Sequence, residues 1–221
     1  MDDAYILSHV DHTLLTATAS WPEIQKLCDE ALRWNTASVC VPPCYVSRIR
    51  KTYPKLNICT VVGFPLGYST AIVKAAEAQA ALDDGANELD MVINLSDVKN
   101  SAFSDIQAEI ALLRKVAGKH ILKVIVETCY LTLQEKITLC GVVTDEGADY
   151  IKTSTGLGSA GAKMEDVLLF REHIGPDVRI KAAGGIRSRD DMVAFIEAGC
   201  SRLGTSSAVK LLTGGAAEGQ Y

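Results

Sequence analysis

The feature that most constrains this chain is a junction that recurs along it. A helical segment stops at a glycine and a run of four to six β-prone residues follows almost at once, as in LDDGANELDMVIN, TDEGADYIKTST and IEAGCSRLGTS. Gly85, Gly147 and Gly199 stand where a helix takes a left-handed C-cap. The same template places eight strands, at 8–12, 38–41, 58–63, 88–93, 122–127, 150–154, 179–184 and 201–204, with helical stretches such as WPEIQKLCDEALRW and STAIVKAAEAQAALDD between them. Eight βα units without a GxGxxG fingerprint after the first strand predict an α/β fold of the (β/α)8 TIM-barrel type rather than an open doubly wound sheet. No Pro/Ser-rich linker divides the chain, so one domain over 1–221 is expected, with a short mobile tail at about 213–221.

A chain of 221 residues that is 48% hydrophobic can bury one sizeable core. Its net charge of -5 argues against a general affinity for nucleic acid or anionic membrane. The start MDDAYILSHV does not read as a secretory signal and no stretch is apolar enough to cross a bilayer, so a cytoplasmic location is expected. The seven cysteines are scattered through apolar segments, and most of them read as reduced core residues. CVPPC, with Cys40 and Cys44, comes nearest to a metal-ligand spacing but has no histidine close by; no metal and no cofactor is expected.

In a barrel of this kind alternate strand residues point to the axis, and sites are built at the C-terminal strand ends. Parity turns Asp90 of ELDMVIN inward, with Leu89, Met91 and Ile93 against the helices. It likewise sends Lys152 of YIKTS, Lys181 of RIKAAGG, Cys40 of SVCV, and Lys123 and Glu127 of LKVIVE to the axis. Lys123 and Glu127 read as an ion pair filling the barrel.

Lys152 and Lys181 fall at matching heights on consecutive strands, and parallel neighbours lie about 4.8 Å apart. Two ammonium groups about 5 Å apart at an effective dielectric near 20 repel by ~3.3 kcal/mol, or ~2.4 pKa units. One of the two is then pushed towards the neutral amine that Schiff-base chemistry on a carbonyl requires. Strand parity does not say which. Asp90 is the carboxylate partner, able to hold an ammonium or to take part in proton transfer.

Two glycine-rich turns, AAGGIRS and LGTSS, follow the last two strands, and TSTGLG follows the sixth. Backbone N–H groups and a helix start at that place in the fold suit a phosphate. The expected ligand is a phosphorylated small molecule.

NELDMVIN, LKVIVETCYL, GADYIKTSTG, IKAAGGIRS and GTSS, in this order and over most of the chain from VDHTLL onward, closely resemble the deoxyribose-phosphate aldolase family of class I aldolases. The resemblance implies a (β/α)8 barrel and reversible cleavage of 2-deoxy-D-ribose 5-phosphate to acetaldehyde and D-glyceraldehyde 3-phosphate in deoxyribonucleotide catabolism. It implies Lys152 as the Schiff-base former, Lys181 as the neighbour that perturbs it, and Asp90 in proton transfer. Phosphate contacts are implied at Gly156, Gly184, Gly185, Gly204, Ser206 and Ser207. Asp11 and Thr13 look like supporting polar residues, and Cys40 matches a pocket cysteine that some members carry. Where some members have a lysine after TSTG, this chain has Leu157, and Arg187 is a candidate to compensate. The chain ends on Tyr221, matching a terminal tyrosine that shuttles the donor proton in many members. A homo-oligomer, dimer or tetramer, is expected.

Two rival functions share these features. A phosphosugar isomerase needs a Glu or His base, but His9, His12, His120 and His173 read as structural or surface residues. A non-catalytic phosphometabolite-binding barrel keeps the glycine turns without needing two lysines.

Overall fold

Several helices of the computed structural model, which describes residues 1–212 and 214, start and stop by local chemistry. Thr132 accepts from the backbone N–H of Glu135, whose carboxylate receives the Thr132 N–H in return, and Ser188 with Asp191 repeats this capping box. At the C-terminal ends Gly85, Gly147 and Gly199 adopt φ of 104°, 66° and 110°, the left-handed region in which a β-carbon is strained.

The strands are β1 (Val10–Thr13), β2 (Ser38–Val41), β3 (Ile58–Val62), β4 (Glu88–Val92), β5 (Ile121–Ile125), β6 (Tyr150–Lys152), β7 (Arg179–Ala183) and β8 (Cys200–Thr205). All pair in parallel and in chain order, and β1 pairs with β8, closing the barrel. The helices are α1 (Asp3–Leu7), α2 (Trp21–Trp34), α3 (Val46–Thr52), α4 (Ala71–Asp83), α5 (Leu95–Lys99), α6 (Phe103–Ala117), α7 (Leu133–Asp145), α8 (Met164–His173), α9 (Arg189–Glu197) and α10 (Ala208–Leu212). Tail residues 213 and 215–221, Tyr221 among them, lie outside the described residues.

The large apolar core lies between strands and helices. Leu89, Met91, Ile93, Ile151 and Ile180 join it as parity requires, against faces such as Ile24, Leu27, Cys28 and Ala31 of α2. Two expected strands differ from the observed ones in ways that matter. The first begins at Val10 rather than residue 8, because Asp2 caps a short helix whose last turn continues to Ser8. The fifth ends at Ile125, so Glu127 is not a strand residue: its φ is 53°, and the chain there turns into a single 3-10 turn, Thr128–Tyr130.

Candidate active site

Register stacks the side chains inside the barrel in layers drawn from alternate strands, as this fold requires. The lowest layer comes from the even strands: Ser38, Glu88, Tyr150 and Arg202. Asp11, Cys59, Lys123 and Lys181 of the odd strands form the next. Above these lie Cys40, Asp90, Lys152 and Gly204, one position nearer the strands' C-terminal ends. The charged members are buried.

Carboxylates tie these layers together. Oδ2 of Asp90 receives both Lys152 Nζ at 2.8 Å and Lys181 Nζ at 2.6 Å, while Oδ1 receives Lys123 Nζ at 2.9 Å and the Cys59 thiol at 3.1 Å. The nitrogens of Lys152 and Lys181 are thus no farther apart than two bonds to one shared oxygen allow, in keeping with the ~5 Å expected between adjacent strands. Asp11 Oδ2 receives Lys181 at 2.5 Å; its Oδ1 accepts from Ser38 at 2.7 Å and from Arg202. Glu88 holds Lys123 at 2.5 Å and Arg202 at 3.1 Å.

These contacts correct one expectation. Lys123 does not pair with Glu127; its carboxylates are Glu88, Asp90 and, at 3.7 Å, Asp11. Asp11 and Glu88 thus add two carboxylates to Asp90 around the site lysines. Burial alone would lower the Lys181 ammonium, but Asp11 and Asp90 reverse this and hold it well above the usual lysine value. Lys123 is held charged in the same way by Asp90, Asp11 and Glu88. For the carboxyls of Asp11 and Asp90 burial acts upward, and the surrounding cations overcome it and hold both low. Crowding therefore does not neutralise Lys181.

Glu127 lies just past β5, buried, with its carboxylate on the Thr155 backbone N–H at 3.2 Å and on the Thr155 hydroxyl. Burial pushes its carboxyl up, against the hydrogen bonds from Thr155 and the charge of Lys152. It thus braces the turn that carries Gly156. Thr13 is buried in β1 and donates to the Asp11 carbonyl at 2.7 Å. Cys40 is buried inside the barrel with Cys59 and Val61, whereas Cys44 is exposed on a 3-10 turn, so CVPPC does not gather a ligand pair.

Two groups, Cys40, Cys59 and Asp90, and Asp11, Cys59 and Glu88, each bring potential metal-ligand atoms within 4.8 Å of one another. Lysine or arginine already contacts every carboxylate among them, which opposes a dication there.

The glycine turns after β6, β7 and β8 line a cavity of about 400 Å³ that includes Gly156, Gly184, Gly185, Gly204, Ser206 and Ser207. A β-carbon on Gly161 would fall 2.3 Å from the Gly184 carbonyl, so these two turns touch backbone to backbone, and Ala162 N–H binds the Gly184 carbonyl at 3.0 Å. Arg187 lines the same cavity, is exposed, and makes no side-chain ion pair among the described residues. Leu157 is exposed.

Sequence reasoning left out Glu88, Arg202, Tyr150 and Cys59. The parity that picked Asp90 puts Glu88 on the same face two residues earlier, so that signal was present.

The model of the DeoC/LacD family aldolase matches residues 5–215. Over 220 residues, 99% of this chain and 100% of the relative, the sequence is 60% identical to a deoxyribose-phosphate aldolase of Clostridium botulinum. A Clostridioides difficile deoxyribose-phosphate aldolase is 53% identical over 94% of this chain and 95% of its own. Among solved structures, a tetrameric deoxyribose phosphate aldolase of Aeropyrum pernix superposes with a TM-score of 0.90 at 33% identity, covering 96% of this chain and 91% of that one.

Proposed function

The chain belongs to the DeoC/LacD aldolase family, and on that premise we propose that Lys152 forms the Schiff base through which it cleaves 2-deoxy-D-ribose 5-phosphate reversibly to acetaldehyde and D-glyceraldehyde 3-phosphate. The observation that carries the assignment is the pair of nitrogens on one Asp90 oxygen, from lysines in register on adjacent strands.

Lys181, held charged, leaves Lys152 to supply the neutral amine. That amine adds to the aldehyde carbon of the open-chain sugar, and loss of water gives an iminium. The sugar hydroxyl then passes its proton to a water relayed by Asp90 and Lys181 as the neighbouring carbon-carbon bond breaks, the electron pair passing into the iminium to give an enamine. Glyceraldehyde 3-phosphate departs. The enamine carbon takes a proton delivered through Asp90, Lys181 and a water, and hydrolysis releases acetaldehyde and restores the amine.

Phosphate is read into the glycine-turn cavity, held by backbone N–H groups near Gly156, Gly184, Gly185 and Gly204, by Ser206 and Ser207, and by the Arg187 guanidinium. Asp11 and Thr13 support Lys181 and the β1 end, Cys40 lines the reacting chamber, and Tyr221 serves as a proton shuttle. The pathway reading is deoxyribonucleotide catabolism. A cytoplasmic location is supported by seven free cysteines, and a homo-oligomeric assembly by exposed Leu66, Tyr68, Ile72 and Val73. Among the described residues no helix is long and apolar enough to cross a membrane.

Borohydride reduction in the presence of acetaldehyde, followed by peptide mapping, tests the central claim. A mass increase confined to the peptide carrying Lys152 is expected. No adduct at all would return the isomerase or the binding-protein reading; an adduct on Lys181 would reverse the two lysine roles.

A further inference from the structure

Two layers beneath Lys152 lies a charged floor that takes no part in the chemistry above. Arg202 of β8 touches Asp11 Oδ1 and reaches Glu88 Oε2 at 3.1 Å, with its guanidinium carbon 5.7 Å from the centre of the Tyr150 ring. Asp11 passes the connection upward, since its other oxygen holds Lys181, and Lys181 shares Asp90 with Lys152. Glu88 makes a second route through Lys123 to the other oxygen of Asp90. Every link is an ion pair between buried side chains, where water does not screen the field.

The charges in these layers nearly balance. Lys123, Lys152, Lys181 and Arg202 face Asp11, Glu88 and Asp90, so with Lys152 protonated there is one cation in excess, and with Lys152 neutral there is none. Arg202, which does not lose its proton in proteins, is the fixed member of that set. We propose that Arg202 and Glu88 are positioning residues that set the protonation of Lys152 from beneath, Arg202 favouring the neutral nucleophile and Glu88 opposing it. The inference rests on Lys152 being the Schiff-base lysine.

The other groups facing the floor are accounted for strand by strand. Ser38 of β2 is a neutral donor to Asp11, and burial raises the Cys59 thiol of β3 well above its ordinary value, so it stays neutral. Asn57, just before β3, donates to Glu88 at 2.7 Å. Lys123 of β5 and Lys181 of β7 are held charged. Arg179 of β7 stacks over Tyr150 of β6 at 4.2 Å and is half exposed. Lys152 itself is faced by Asp90 of β4, Lys181 of β7, Cys40 of β2 and, past β5, Glu127. The hydrogen bond with Cys59 lowers the Cys40 thiol from its ordinary value and burial raises the Glu127 carboxyl, and both groups are common to all the variants below.

The readout is the acid limb of the kcat/KM profile, which reports deprotonation of the free enzyme's nucleophile. A unit charge about 10 Å away at an effective dielectric near 20 moves a pKa by about one unit. Arg202→Met is expected to shift the limb up by about one pH unit, Glu88→Gln to shift it down by a similar amount, and the double variant to return it close to the parent. Arg202→Lys is expected to keep the parent profile. A floor that merely holds the fold lowers activity without moving the limb in opposite directions, and that result overturns the proposal; so does a double variant that fails to return. If Arg202→Met does not fold, Glu88→Gln decides alone, an unmoved limb counting against it. Borohydride mapping of each variant separates the two claims: loss of the Lys152 adduct site condemns the nucleophile assignment, whereas an adduct on Lys152 with unshifted limbs condemns only the floor.

Discussion

Lys181 Nζ stands 2.6 Å from Oδ2 of Asp90, on the same oxygen that Lys152 reaches at 2.8 Å. One carboxylate thus separates two amines and is placed to pass a proton between them. In Asp90→Asn the anion is lost while its shape remains, so Lys152 becomes easier to deprotonate even as the proton path is cut. Turnover is expected to fall by about 10²–10⁴, while borohydride trapping of Lys152 at pH 7 remains. Lys123 and Lys181 each lose a partner, and a stability loss of about 3–5 kcal/mol in urea should accompany the change. Trapping that falls in step with turnover would place Asp90 in nucleophile formation instead.

Glu127 and Thr155 make a second coupled pair. A left-handed glutamate is uncommon, and here it aims a buried carboxylate at both donors of Thr155, one residue before Gly156. Glu127→Gln keeps an acceptor but loses the charge-assisted bonds, worth about 1–2 kcal/mol. KM for the phosphorylated sugar is expected to rise roughly tenfold, with kcat changed less. A kcat collapse at constant KM would mean that Glu127 acts on the reacting atoms.

Much of this was legible in the sequence because period-two alternation is strict in a closed barrel: Asp90, Lys152 and Lys181 turn inward for the reason that Leu89 and Ile151 turn outward. The strands β4, β6 and β8 were legible from the glycine stops at Gly85, Gly147 and Gly199. Partner choice was not. Lys123 and Glu127 share a parity, but β5 ends at Ile125 and the backbone then turns left-handed, carrying Glu127 to Thr155. The balance of charge around Lys181 depends on Asp11, which is 170 residues away and reaches it only because the barrel closes. The helical residues Lys74 and Glu109 carried no visible signal for their buried 2.6 Å ion pair, which needs two helices in contact.

That ion pair gives a control outside the site. Lys74 also donates to the Val92 carbonyl at 2.7 Å, and both partners are almost wholly buried. Lys74→Met strands the Glu109 charge and is expected to cost about 3–5 kcal/mol in urea unfolding. The kinetic constants of the folded enzyme should stay those of the parent. A loss under 1 kcal/mol would mean that Glu109 takes up a proton at little cost, in line with burial pushing its carboxyl upward.

Arg187 is the test of phosphate recognition, because among the described residues it alone brings a cation to the lining of the cavity. Arg187→Ala is expected to lower kcat/KM for the phosphorylated sugar by about 10- to 100-fold, as loss of one charge-assisted contact implies. Cleavage of unphosphorylated 2-deoxyribose should be unaffected. Equal losses on both substrates would assign Arg187 to holding its loop, where its own N–H binds Asp191.

Stability should pass through a maximum on the acid side of neutrality, because two sets of buried carboxyls pull in opposite directions. Asp11 and Asp90 are held low by the lysines and Arg202 around them, so their contribution is complete above the unfolded value of about 4 and is lost as pH falls through the folded values. Glu109 and Glu127 are raised by burial, so theirs is present below about 4.3 and is lost as pH rises through the folded values. Lys123 and Lys181, held high, act only at strongly alkaline pH. Urea unfolding from pH 3 to 8 should therefore show a maximum near pH 5, with a steep loss below 4 and a shallow decline towards 7. Glu127→Gln should flatten the decline without touching the acid loss. A curve that climbs steadily to pH 8 would mean that burial does not raise the two glutamates.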